Sequence, residues 1–151
     1  MTIEENNTYF EVLTEKPVEL KKDEFFKLLA KQDLDLTILR VGKTYISKWK
    51  NEKANDFPSG CFIDYGFNID NVEYEVGISY NLGVPIDEET FILSSGMNIF
   101  KILNIATDLS KAKEIKVSKK FIEESLTGIR FKATLDSGFN GFVIRPLGRI
   151  E

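Results

Sequence analysis

Residues 61–80 read CFIDYGFNIDNVEYEVGISY, and this stretch constrains the fold more than any other. Val72, Tyr74, Val76, Ile78 and Tyr80 alternate with Glu73, Glu75, Gly77 and Ser79. That two-residue period belongs to a strand with one buried face and one wet face. The run CFIDYGFNI before it is also strand-like, and Asp70 and Asn71 form a short polar link suited to a tight hairpin. Tyr74 and Tyr80 fall on the apolar side of the alternation, and Tyr65 and Phe67 join them as predicted core packing. Glu73 and Glu75, two apart, read as solvated strand residues rather than as a catalytic carboxylate pair.

A strand is also predicted from Leu34 to about Lys50, with Leu34, Leu36 and Ile38 on one face and Thr37 and Leu39 on the other. Gly42 predicts a bulge, which leaves two phases open beyond it. Either Tyr45, Ser47 and Trp49 point outward, or Thr44, Ile46 and Lys48 do. Further on, SSGMNIFKILNIATDL is a predicted helix capped by Ser94 or Ser95, with Ile99, Ile102, Leu103, Ala106 and Leu109 at helical spacing. A second short helix begins at Ser118, carries Phe121 and Ile122, and stops at Gly128. Ile129, Phe131, Ala133 and Leu135 then oppose Arg130, Lys132 and Thr134, and a DSGFNG turn leads to a last strand. Ahead of Leu34, KKDEFFKLLAKQ predicts a helix with Asp23 as N-cap and Phe26, Leu29 and Ala30 on one face.

Three strands, a helix and two further strands is the order of the OB fold, a small five-stranded Greek-key barrel. The expectation is therefore a mainly β protein with helices (α+β): an N-terminal extension with a short helix over residues 1–33, and an OB-fold barrel over 34–151. A chain of 151 residues suits one such domain.

The residue inventory narrows the chemistry. The chain has no histidine and one cysteine, Cys61, which excludes Cys/His zinc constellations and both Ser-His-Asp and Cys-His nucleophilic catalysis. The expectation is a protein that is not an enzyme and uses neither metal nor cofactor. No apolar run approaches the roughly 20 residues needed to cross a membrane. The opening MTIEENNTYFEVLTEKP is acidic and polar where a secretory signal is basic and then apolar, so a cytoplasmic location is expected.

The net charge of -4 conceals an asymmetry. Residues 56–95 carry eight acids and no Lys or Arg, whereas residues 36–55 carry five cations and one acid, and residues 96–151 carry ten and six. The first basic group places Tyr45 and the only tryptophan, Trp49, among Lys43, Lys48, Lys50 and Lys53. Three readings compete there: a core strand with solvated lysines, a protein-binding patch, or rings that stack on bases while lysines meet phosphates. The lysine spacing favours stacking. Arg130, Lys132, Arg145 and Arg149 form the second basic group, on the last hairpin, and the two groups are expected to hold phosphates together. Phe139, in the Gly-rich turn, is either a stacking ring or a contact to another subunit. The run Lys111, Lys113, Lys116, Lys119 and Lys120 reads as a solvated face, because Glu114, Glu123 and Glu124 interleave.

From about Leu34 to Leu147 the chain resembles the OB-fold single-stranded-DNA-binding proteins of phages and conjugative plasmids of Gram-positive bacteria. YEVGISYNLG running into SSGMNIFKILNIATDL carries the resemblance, together with SLTGIRFKATLD. It implies binding of single-stranded DNA with little sequence preference, in replication, recombination or conjugative transfer, with RNA left open as a ligand. Housekeeping members end in an acidic tail with a terminal Pro-Phe, whereas this chain ends IRPLGRIE, so that recruitment route and the familiar tetramer are not carried over. Some plasmid relatives instead look like chains of subunits joined by terminal segments. By that likeness Tyr9, Phe10, Val12 and Leu13 are candidate subunit contacts. The competing expectation is a protein-interaction module on the same scaffold, without DNA binding.

Overall fold

The computed structural model describes residues 16–46, 58–138 and 141–150. It is mainly β with three helices among the described residues, and its strands form a six-stranded and a three-stranded sheet. The long hairpin is as predicted. β3 (Gly60–Ile69) and β4 (Val72–Asn81) pair in continuous antiparallel register, from Gly60 opposite Asn81 to Ile69 opposite Val72. Asp70 and Asn71 both adopt positive φ, 51° and 67°, as a two-residue turn demands, and the Asn71 N–H donates to Asn68 Oδ1 at 3.1 Å. Cys61, Ile63, Tyr65, Phe67, Val76, Ile78 and Tyr80 are buried, which matches the alternation, whereas Tyr74 is half-buried and Val72, next to the turn, is exposed.

β2 (Leu34–Tyr45) pairs with β3 on one side and with β8 (Arg130–Gly138) on the other. Its ladder with β3 shifts register between Val41 and Thr44, the bulge expected at Gly42. Tyr45 thereby pairs with Gly60 on the face opposite the core, which resolves the open phase as far as Ile46. β9 (Gly141–Arg149) completes this side as the partner of β8. At the far edge, β1 (Val18–Glu19) adds two residues parallel to β4, with Val18 opposite Tyr74. The sheet order is β1-β4-β3-β2-β8-β9.

The five expected strands are thus present in the expected succession, but among the described residues no ladder joins β4 to β9 and no closed barrel is formed. The physical reason lies in what the two edges meet instead of each other. α2 (Asn98–Ala106) packs against both strands, while β1 takes one end of the β4 edge. The second sheet was not expected: β5 (Val84–Pro85), β6 (Thr90–Ser94) and β7 (Glu114–Ser118) run antiparallel within the stretch that links β4 to β8.

The helices correct two details. α1 (Lys22–Leu29) is capped at Lys21, so Asp23 lies in its first turn, and it buries Phe25 and Leu29 rather than Phe26 and Ala30. The Phe25 ring meets Phe67 at 5.4 Å, which places α1 in the same core as the strands that follow residue 34. α2 begins after Met97, because Ser94 belongs to β6 and the Ser95 N–H donates to the Lys113 carbonyl. α3 (Lys119–Leu126) is capped by Ser118, whose Oγ accepts from the Phe121 N–H at 3.0 Å, and Gly128 follows it at φ +88°.

Candidate nucleic-acid interface

The wet side of β2, β3 and β4 is one continuous surface, and cross-strand register divides it into three zones. At one end Tyr45 and Phe62 form a ring pair with centroids 5.4 Å apart and planes 43° apart. Phe62 is 48% exposed, an apolar ring on the solvent side of a strand whose core positions are already filled. The Tyr45 hydroxyl is hydrogen-bonded to Ser79 Oγ, which ties the ring to the opposite strand. Gly60 lies under the Tyr45 ring so closely that a Cβ there would run into it. Ile46, next to Tyr45 in sequence, is exposed, and so is Lys43, two residues before it.

The middle zone is ionic. Arg40 donates from Nε to Asp64 Oδ2 at 2.7 Å and from Nη2 to Glu75 Oε1 at 2.6 Å. The hydrogen bond to Glu75, with the charge of Asp64 behind it, pushes the Arg40 guanidinium further up from its already high value. One cation from the preceding strand therefore bridges two acids of the segment that has no Lys or Arg of its own. It offsets one of the two negative charges there, which lessens the repulsion of a phosphate chain.

At the other end lies a hollow of about 420 Å³ with Leu39, Gly66 and Tyr74 in its walls and Asp35, Glu73 and Arg130 around them. Glu73 and Glu75 both border it, but Glu75 is held by Arg40. Among the described residues no group of three or more Cys, Asp or Glu side chains is arranged to hold a metal ion.

Of the first basic group only Lys43 is among the described residues. Lys43 sits near the end of β2, whereas Arg130 and Lys132 face Thr37 and Asp35 near its start. Thr37 and Tyr45 are about 26 Å apart along an extended strand. β8 pairs with the first part of β2 and then continues away from it, so Lys43 is separated from Arg130 and Lys132. Arg145 and Arg149, both exposed, lie on β9 opposite Thr134 and Phe131. Lys48, Trp49, Lys50, Lys53 and Phe139 lie outside the described residues, as do the proposed subunit contacts Tyr9, Phe10, Val12 and Leu13.

Tyr65, Phe67 and Tyr80 are core residues as predicted, and Tyr74 is half-buried, stacked on Phe67 at 5.4 Å. Phe62, Ser79 and Arg40 were not singled out by sequence reasoning. Phe62 carried a legible signal, since it is the one bulky apolar residue out of phase with Cys61, Ile63, Tyr65 and Phe67. No family model matches the chain, no curated protein matches it, and no solved structure matches it.

Proposed function

We propose that this protein is a non-catalytic single-stranded-DNA-binding protein that takes bases on the Tyr45–Phe62 pair with little sequence preference. The observation that carries the reading is that pair: two aromatic rings on the wet face of a sheet, one 48% exposed, with the exposed Lys43 two positions from Tyr45 in sequence. Any base offers a face for stacking, so such a platform is tolerant of sequence. The strand succession β4-β3-β2-β8-β9 supports an OB-type scaffold whose last seam is bridged by a helix. Arg40 supports it as well, because it offsets one of the two negative charges of Asp64 and Glu75 beside the platform.

In this reading the protein serves replication, recombination or conjugative transfer of a phage or plasmid in the cytoplasm. Self-association through the N-terminal segment belongs to the same proposal, as do the phosphate contacts of Lys43, Arg130, Lys132, Arg145 and Arg149, and of Lys48, Lys50 and Lys53. Among the described residues no helix is long and apolar enough to cross a membrane.

Fluorescence anisotropy of a labelled oligothymidine tests the proposal, with wild type and Phe62→Ala compared at about 50 and 200 mM salt. Salt-sensitive binding that Phe62→Ala weakens supports it. The exposed Ile46 and Phe62 also suit a protein partner. Absence of saturable binding at the lower salt would select that second reading.

A further inference from the structure

Where β4 and β9 fail to pair, a cleft of about 680 Å³ opens along the seam. Ser79 and Asn81 of β4 line one side, Ser137 and Val143 of the last hairpin another, and Asn98 and Lys101 of α2 a third. Its chemistry differs from that of the two hollows on the wet face of the sheet. The 420 Å³ hollow is bordered by Asp35, Glu73 and Glu75, and a 320 Å³ hollow beside Arg40 by Glu19, Asp64 and Glu75. Among the described residues that line the seam there is no carboxylate, and Lys101 is the single charge. The other polar groups are neutral donors suited to phosphate oxygens. Asn81 is one of them: its Oδ1 accepts from the Gly83 N–H at 2.6 Å, which leaves its NH₂ to donate elsewhere.

The seam is continuous with features at both ends. Ser79 lines it and is also the hydrogen-bond partner of Tyr45 on the ring platform. Lys101 lines it and also a further hollow of about 450 Å³, which it shares with Arg145 and Asp136. Ser110 and Ala112 belong to that hollow, and the exposed Lys111 and Lys113 flank them in sequence. Asp108 beside them is already engaged, accepting from the Ser110 N–H at 3.0 Å and from its hydroxyl at 2.7 Å. Lys101 of α2 thus stands between the seam beside the rings and Arg145 of the last hairpin, although Lys43 and Arg130 lie at different ends of β2.

We infer that the seam is a phosphate-binding channel for the backbone of a single-stranded nucleic acid. The strand stacks bases on Tyr45 and Phe62, turns at Ser79, and passes Lys101 toward Arg145, Lys111 and Lys113. This inference rests on the single-strand-binding reading and adds a path to it.

Oligothymidines from about 4 to about 16 nucleotides, the range one small OB domain covers, separate the two ideas. Phe62→Ala weakens binding at every length. Lys101→Glu, at an exposed position, leaves the shortest oligomers unaffected and lowers affinity for the longest by about tenfold, with the slope of log K against log salt reduced by about 0.7 for each phosphate lost. The double variant Lys111→Glu/Lys113→Glu repeats that length-dependent loss. Equal binding of wild type and both charge-reversed variants at all lengths would overturn the channel and leave the ring platform standing. Failure of the wild type to bind any oligothymidine would remove the underlying reading and the channel with it. A changed oligomeric mass for Lys101→Glu with unaltered DNA affinity would also overturn it, and would assign the seam to a second copy of the chain.

Discussion

The hydroxyls of Tyr65 and Tyr80 meet at 2.6 Å inside the core, bridging adjacent strands between rings that are 0% and 5% exposed. Each satisfies the other, so removal of one leaves a buried polar group alone. Tyr80→Phe is expected to cost about 1–3 kcal/mol, the penalty for an unpaired buried hydroxyl. The double variant Tyr65→Phe/Tyr80→Phe should cost less than the sum of the two single changes, because it removes both hydroxyls at once. Urea unfolding of the four proteins measures the cycle.

The same region makes stability fall in alkali. Burial pushes the Cys61 thiol up to about 11 from an ordinary 9.0, and burial also raises both tyrosines. Above pH 9 the unfolded chain loses the thiol proton while the folded chain keeps it, so the unfolded state binds fewer protons and stability declines as pH rises. The thiol alone contributes a decline of roughly 1 kcal/mol per pH unit between about pH 9 and 11, and the tyrosines add theirs from about pH 10. Unfolding free energies at about pH 8.5 and 10, compared with those of Cys61→Ala, isolate the thiol: the variant should show the shallower slope.

On the ring platform, Phe62→Ala is expected to lower affinity for oligothymidine by about 1–3 kcal/mol, the effect of one stacked base. Its effect on thermal stability should be small, since the ring is half exposed. Gly60→Ala reaches the same site from beneath by displacing the Tyr45 ring, so it should weaken binding with both rings still present. Anisotropy titrations paired with thermal melts distinguish loss of the platform from loss of the fold.

Arg40→Gln removes the bridge between Asp64 and Glu75. Because these pairs are exposed, the change in folding stability should stay below about 1 kcal/mol. DNA affinity should fall further than stability, as two acids are left uncompensated on the face that carries the rings. Restoring part of that affinity with Arg40→Gln/Glu75→Gln would assign the loss to exposed charge.

The long hairpin was legible because its information is local: a strict period of two and a two-residue polar link fix strands, faces and turn together. β5, β6 and β7 escaped for the opposite reason. β5 has two residues, β6 five, and the Ile115 and Val117 alternation of β7 is hidden among lysines. Arg40 could not be assigned from sequence, since its partners lie 24 and 35 positions away and are reached only through register across bulged strands. Tyr45 stands out in the sequence by its lysine neighbours, yet its ring partner, Phe62, comes from the acidic segment that has no Lys or Arg.

The helix bridge across the seam also has a topological consequence. A sheet stitched shut by ladder hydrogen bonds can admit a polymer into its seam only if those bonds break. Here the β4 and β9 edges are apart and α2 supports them from one side, so a strand can be laid in laterally, without a free end. Covalently closed single-stranded circles should therefore load as readily as linear strands of the same length.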